Sequence, residues 1–229
     1  MCIRDRYETF QIPRSGGAND CPYDEDITGC ENYFFTIQDF VTHPEGSVSS
    51  SHLPEVFWSG ALHGDERLGP TVVMETAAVL LAAAACEALP GVHPSLNELS
   101  DAKDCREDLK ATGVDDHQRK WLARLVSTRR IVVIPSANSL GFFYNTRNES
   151  NVDPDTDFPV ATMENDCMKS VASRTINELF RLHMFQMAIS FHDGDGALRW
   201  SWRRYPASAP DISAQLLSLI HISEPTRPY

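Results

Sequence analysis

The sequence predicts an α/β fold with three layers, α/β/α, around a mixed, largely parallel sheet. Three observations lead there. Residues 130–135 (RIVVIP) and 187–191 (MAISF) are continuously apolar, the pattern of strands covered on both faces. Helical segments separate these strands and the other β-rich runs, and alternating strands and helices pack as a sheet with helices on both sides. Residues 7–216 are long enough for one domain with a substantial core.

Each element follows in order. Residues 33–41 (YFFTIQDFV) are aromatic and β-rich, a strand near an edge. Residues 54–62 (PEVFWSGAL) form a short apolar strand after a Ser-rich turn. Gly69-Pro70 then opens a helix, with Pro at a favoured first-turn position. That helix covers residues 71–89, the most apolar run in the chain and near the length that spans a bilayer. It carries Glu75 and Glu87 and is rich in Ala, so a core helix is expected and no membrane span. Residues 91–113 are polar and weakly patterned and read as a surface excursion. Residues 115–127 have helical spacing at Trp121, Leu122, Leu125 and Val126. The buried strand 130–135 comes next. Residues 139–159 read as a long loop rich in Asn, Asp and Pro. Residues 163–183 read as an amphipathic helix with an apolar stripe of Val171, Ile176, Leu179, Phe180 and Met184. The strand 187–191 follows as a second buried one.

Charge and cysteine usage exclude some functions. The chain has 20 basic and 32 acidic residues, a formal net charge of −12, which argues against nucleic acid or an anionic membrane as a partner. No two of its cysteines sit at Cys-x-x-Cys spacing, so a thiolate zinc site is not expected. Cys21 and Cys30 flank an acidic, turn-rich stretch and could form a local disulfide. The compartment stays open, with a secreted or vesicular setting slightly favoured.

The two ends stand apart from the rest. Met1 to Arg6 reads MCIRDR and residues 217–229 read LSLIHISEPTRPY. Back-translated, the first begins ATG TGT ATA AGA GAC AG, whose reverse complement encodes LSLIH. One end is the antisense of the other, as in a transposon adapter read through at both ends of a fragment. Residues 1–6 and 217–229 are therefore read as adapter sequence and excluded from fold reasoning. Residues 7–216 are read as natural and as part of a longer protein.

The chemistry concentrates at strand ends. His63 follows the strand VFWSGAL, Glu66 lies three residues on, and His192 follows MAISF. In sheets of this kind, ligands bind beyond the carboxyl ends of strands. If the two strands are neighbours, the three side chains converge on one rim. Two His and one Glu form a catalytic zinc set that leaves a position for water or substrate. Each residue alone reads as an ordinary core or surface residue; the joint placement makes the pattern.

The segment SGALHGDERLGP resembles the first zinc motif of the zinc metallocarboxypeptidases (carboxypeptidase A/B-like), where a strand ends in His-Gly-x-Glu. IVVIPSANSLGFFYNTRNESNVDPDTDFP resembles that family's next block, and AISFHDGDG its third-ligand strand. The likeness covers residues 54–202, and 126 positions separate Glu66 from His192, within the family's usual separation. It implies that residues 7–216 are a partial metallocarboxypeptidase catalytic domain, a truncated version of that fold. It implies one Zn2+ ion held by His63, Glu66 and His192, and a peptide or protein C-terminus as substrate. Asp153 matches the carboxylate that orients the first His. Arg147 matches the Arg that polarises the scissile carbonyl.

Two departures qualify that expectation. The family has Asn-Arg where this chain has Asp155-Thr156, and that pair normally grips the substrate's terminal carboxylate. Asp155 would repel a carboxylate and Thr156 offers no bidentate fork, so these two positions are doubtful substrate-binding residues. Arg199, Arg203 or Arg204 could replace the anchor. The family's general-base Glu and the Tyr before it have no match in the chain, so the parent protein is expected to be an enzyme and this fragment a poor one. A peptide-binding pseudoenzyme and an amidase or deacylase on the same fold are the alternatives.

Overall fold

The structure is a computed structural model and describes residues 8–10, 32–87, 102–158 and 168–193. These residues belong to one unit, Met1–Asp193; the second unit, Gly194–Tyr229, lies outside the described residues.

Five strands form one sheet: β1 (Glu8–Phe10), β2 (Asn32–Ile37), β3 (Glu55–Ser59), β4 (Arg130–Ile134) and β5 (Phe185–Ser190). Their order is β1-β2-β4-β3-β5. The pairs β3/β4 and β3/β5 are parallel, while β1/β2 and β2/β4 are antiparallel. The sheet is thus mixed, as the sequence predicts. The helices are α1 (Val48–Ser51), α2 (Leu68–Cys86), α3 (Ala102–Ala111), α4 (Asp116–Thr128), α5 (Ser139–Tyr144) and α6 (Val171–Leu182).

The alternation of β4 explains the layers. Ile131 and Val133 point to one face and join Trp58, Val73, Ala77, Leu80, Ala84 and Val126 of β3, α2 and α4. Val132 and Ile134 point to the other and join Phe57, Leu62, Ala172, Ile176 and Leu179, with α6 as cover. Val132, Val133 and Ile134 are fully buried. Each side chain contributes about 1.5–3 kcal/mol by leaving water, which is why this strand reads as a continuous apolar run.

Local signals set the helix ends. Asp115 and Gln118 form a reciprocal capping box at α4. Ser170 caps α6 by accepting from the Ser173 N–H. Helix α2 is long and apolar enough to cross a membrane by length and composition. Instead its Val73, Ala77, Leu80 and Ala84 lie on the sheet. Glu75 is exposed, and Glu87 pairs at 2.7 Å with the buried Arg119.

Several expectations need correction. The strand predicted over 33–41 ends at Ile37, because Asp39 accepts from the Val41 and Thr42 N–H groups and turns the chain. The excursion at 91–113 contains α3, which buries Leu109 and is tied to the end of α2 by a Cys86–Cys105 disulfide with Cα atoms 5.9 Å apart. The loop at 139–159 contains α5, started by Asn138 accepting from the Gly141 N–H at 2.7 Å, and a 3-10 turn, Pro154–Thr156, started by Asp153. Within the predicted stripe of α6, Ile176 and Leu179 are buried, whereas Phe180 is 45 % exposed and Met184 lies beyond the helix. The strand expected to be buried last, β5, is an edge strand among the described residues, and its Gln186, Met187 and Ala188 are exposed. Cys21 and Cys30, which could form a local bridge, and Arg199, Arg203 and Arg204 fall outside the described residues.

Candidate metal centre

The site is built where β3, β4 and β5 end. Ser59 pairs with Ser190 across β3 and β5, so the segments that leave these strands start side by side. After β3 the chain is laced to the exit of β4: Gly60 N–H donates to the Ile134 carbonyl, and Ala137 and Asn138 N–H groups donate to those of Gly60 and Ala61. His63 therefore emerges from a fixed turn and is 1 % exposed. The Gly64 N–H donates to the Arg147 carbonyl at 3.2 Å. A Cβ at Gly64 would lie 2.0 Å from the backbone of Gly141, so the His-Gly-x-Glu motif requires its glycine for close approach to α5. The turn closes with the Glu66 N–H on the His63 carbonyl, and α2 begins two residues later.

Three side chains meet there. His63 Nδ1 lies 2.8 Å from Glu66 Oε1. His192 Nδ1 lies 2.8 Å from Glu66 Oε2 and 3.2 Å from His63 Nδ1. One donor atom from each of His63, Glu66 and His192 can be chosen so that all lie within 4.8 Å of one another. The three residues singled out from the sequence are brought together.

Their partners orient them. His63 Nε2 is 3.2 Å from Asp153 Oδ1. Each ring nitrogen of His63 thus faces a carboxylate, Nδ1 that of Glu66 and Nε2 that of Asp153; if Nδ1 gives its lone pair to a metal, Nε2 keeps the proton and donates it to Asp153. His192 Nε2 is 3.2 Å from Ser190 Oγ, which leaves its Nδ1 facing the same point. Arg147 donates to Glu66 Oε1 at 3.2 Å and lies 3.8 Å from Asp153 Oδ2, with its side chain 43 % exposed. Burial pushes the Glu66 carboxyl up, but the hydrogen bond and charge of His63, the Asp193 N–H and the charge of His192 outweigh it. The group is held below its ordinary value and is ionised.

Asp155 and Thr156 lie in the 3-10 turn next to Asp153. The Asp155 N–H donates to Asp153 Oδ1 at 3.0 Å, and the Thr156 hydroxyl donates to the Asp153 carbonyl at 3.2 Å. They brace the residue that holds His63.

No protein-family model matches the chain, and no curated protein matches it. Among solved structures it is similar to an aspartoacylase family protein from Mesorhizobium loti, with 16 % identity, a TM-score of 0.37, and coverage of 71 % of this chain and 35 % of that one. It is similar to the product-bound ectoine utilization protein EutE from Ruegeria pomeroyi, with 17 % identity, a TM-score of 0.40, and coverage of 75 % and 36 %. It is also similar to a metallo-carboxypeptidase from Pseudomonas aeruginosa in complex with (2-guanidinoethylmercapto)succinic acid, with 14 % identity, a TM-score of 0.41, and coverage of 72 % and 32 %. The chain spans about a third of the length of these structures.

Sequence reasoning missed two residues at the site. Ser190 was legible only as a strand residue, although it shares a side of β5 with position 192. Asp193 bonds through its N–H to Glu66 Oε2 at 3.2 Å and through Oδ2 to the Leu68 N–H at 3.2 Å. No short motif signals that role.

Proposed function

We propose that this chain forms the metal-binding part of a zinc-dependent hydrolase that cleaves a peptide or amide bond, and that the whole protein acts as a metallocarboxypeptidase on peptide or protein C-termini. The observation that carries this reading is the convergence of two imidazole Nδ1 atoms and a carboxylate on one point, with 2.8–3.2 Å between neighbouring atoms. A tetrahedral ion with bonds of about 2.0–2.1 Å sets its donors about 3.3 Å apart, so the set fits zinc. Zinc in such a site acidifies a water and polarises a carbonyl.

The protein groups divide the remaining work. His63, Glu66 and His192 would hold the ion and leave one position for water or substrate. Asp153 keeps His63 in the tautomer that offers Nδ1, and its charge raises the basicity of the ring. Arg147 is the partly exposed cation beside the ligands, suited to bind negative charge as it develops on a substrate carbonyl oxygen.

Asp155-Thr156 favours a second reading. Thr156 stands where the resembled family uses an Arg fork and Asp155 beside it adds negative charge, so an amidase or deacylase that takes a substrate without a free carboxylate fits these positions better. A peptide-binding pseudoenzyme of the same fold, with or without zinc, is the third.

One experiment separates them. The metal-stripped chain is titrated with zinc by calorimetry, and the whole protein is given peptides with free and amidated C-termini. One tight zinc site with cleavage of free C-termini alone supports the carboxypeptidase. Cleavage of amidated substrates moves the assignment to the amidase or deacylase. Zinc binding without cleavage leaves the binding protein, and no zinc uptake in excess metal refutes both hydrolase readings.

A further inference from the structure

We propose that Asp193 is a positioning residue for the metal centre: it clips the segment of the third ligand to the start of α2, and so fixes Glu66 and His192 relative to each other. This rests on the metal-site reading above and adds a residue to it.

Helix α2 lacks a cap of its own. A 19-residue helix presents unpaired N–H groups and partial positive charge at its N-terminus. Its own N-cap, Arg67, makes no side-chain cap bond, and the first turn has no acidic residue. Arg67 also has the wrong charge for that end. Asp193 supplies the missing acceptor from 125 positions away, with Oδ2 3.2 Å from the Leu68 N–H.

The same residue reaches the metal ligands. Its N–H donates to Glu66 Oε2 at 3.2 Å, two residues before Leu68, while His192 is its chain neighbour. Glu66 thus has Oε1 held by Arg147 and Oε2 held by the Asp193 backbone. Gly69 brings the two segments close: a Cβ there would stand 2.6 Å from the Phe191 carbonyl oxygen. The second carboxylate oxygen, Oδ1, is buried with no hydrogen-bond partner among the described residues. The side chain is held at the helix end against its preference for water. Without the clip, the 191–193 segment loses its anchor to α2, and the Glu66 carboxylate and the His192 ring lose their common frame.

Three variants of the full chain test this: D193A, D193N and D193S. Asn keeps an acceptor oxygen at the same reach and caps about as well as Asp. Ala and Ser cannot span the distance to the Leu68 N–H. Zinc affinity is measured by competition with a chromophoric chelator, and the ligand field is read from the visible absorption of the cobalt-substituted protein. D193A should weaken zinc about tenfold, the effect of an outer partner on a ligand, and change the cobalt spectrum. D193N should recover affinity to within about threefold of the original chain. If D193A does not fold, D193S carries the same expectation. A purely structural cap would lower the thermal midpoint of the metal-free variants and leave zinc affinity and the cobalt spectrum unchanged. That result overturns the proposal while the metal site stands. Failure of the unmodified chain to bind zinc overturns both.

Discussion

Strands β3, β4 and β5 carry a cluster of His, Glu and Arg at each end, and the two clusters behave oppositely. At the amino-terminal end Glu55 lies between His183 and Arg130. Its Oε1 accepts from Arg130 Nη1 and contacts His183 Nδ1 at 3.1 Å, and its Oε2 accepts from the Met184 N–H at 2.6 Å. Arg130 also donates to Gln38 Oε1 at 2.8 Å and to the Ser50 carbonyl at 3.1 Å. Donors face acceptors throughout, and the cluster is closed. At the carboxyl-terminal end Glu66 lies between His63, His192 and Arg147, and there the ring nitrogens crowd one point: the Nδ1 atoms of both rings are 3.2 Å apart and each lies 2.8 Å from a Glu66 oxygen. Two facing ring nitrogens cannot both direct N–H groups at each other, and a shared proton or a cation suits the gap between them. The residue types match; the facing pair of ring nitrogens separates the candidate metal site from the internal ion pair.

Substitutions can break that contrast. The largest effect is expected from His63→Ala, which should weaken zinc beyond the roughly 100-fold ceiling of an outer partner, by calorimetry, with little change in the stability of the metal-free protein. Glu55→Ala should do the reverse. It strands Arg130 in a partly buried site and should cost about 2–3 kcal/mol in urea unfolding, with zinc affinity unchanged. A loss of zinc binding in that variant would show the two ends to be coupled. Asp153→Asn should weaken zinc about tenfold, because the amide no longer fixes the ring tautomer or raises its basicity.

A smaller effect concerns acid. Burial pulls the Glu55 carboxyl up, but bonds from His183, Arg130 and the Met184 N–H outweigh it and hold it below its ordinary value. A lowered carboxyl contributes stability above its unfolded value, and that contribution is lost as pH falls through the folded one. Urea midpoints measured from pH 6 down to pH 3 should therefore fall more steeply for the original chain than for Glu55→Gln. Equal slopes would remove Glu55 from the account. The smallest change is expected from Ser190→Ala. It removes a neutral partner of His192 and should alter zinc affinity by less than about threefold, against the tenfold for the charged partner of His63.

The contrast also shows what the sequence can carry. The three candidate ligands are legible because each follows a strand and the register of β3 against β5 sets them side by side. The buried strand β4 is legible because both faces are covered, which leaves a continuous apolar run. β5 has the same run and yet is exposed, since composition records how apolar a strand is and not where it lies in the strand order. Helix α5 is hidden in a loop-like sequence, because Asn138 serves equally as a turn former and as a cap. Asp193 escapes notice because its partners, Leu68 and Glu66, are distant in sequence and one of them is a main-chain N–H.

The bond between Cys86 and Cys105 closes a covalent ring across 19 positions of chain. A protease that cuts anywhere inside that ring leaves both pieces attached to each other. The nicked chain would migrate as one species without reductant and as two with it. Until a reductant opens the ring, damage there leaves α2 and α3 linked, and His63, Glu66 and His192, all outside the ring, stay on the same molecule.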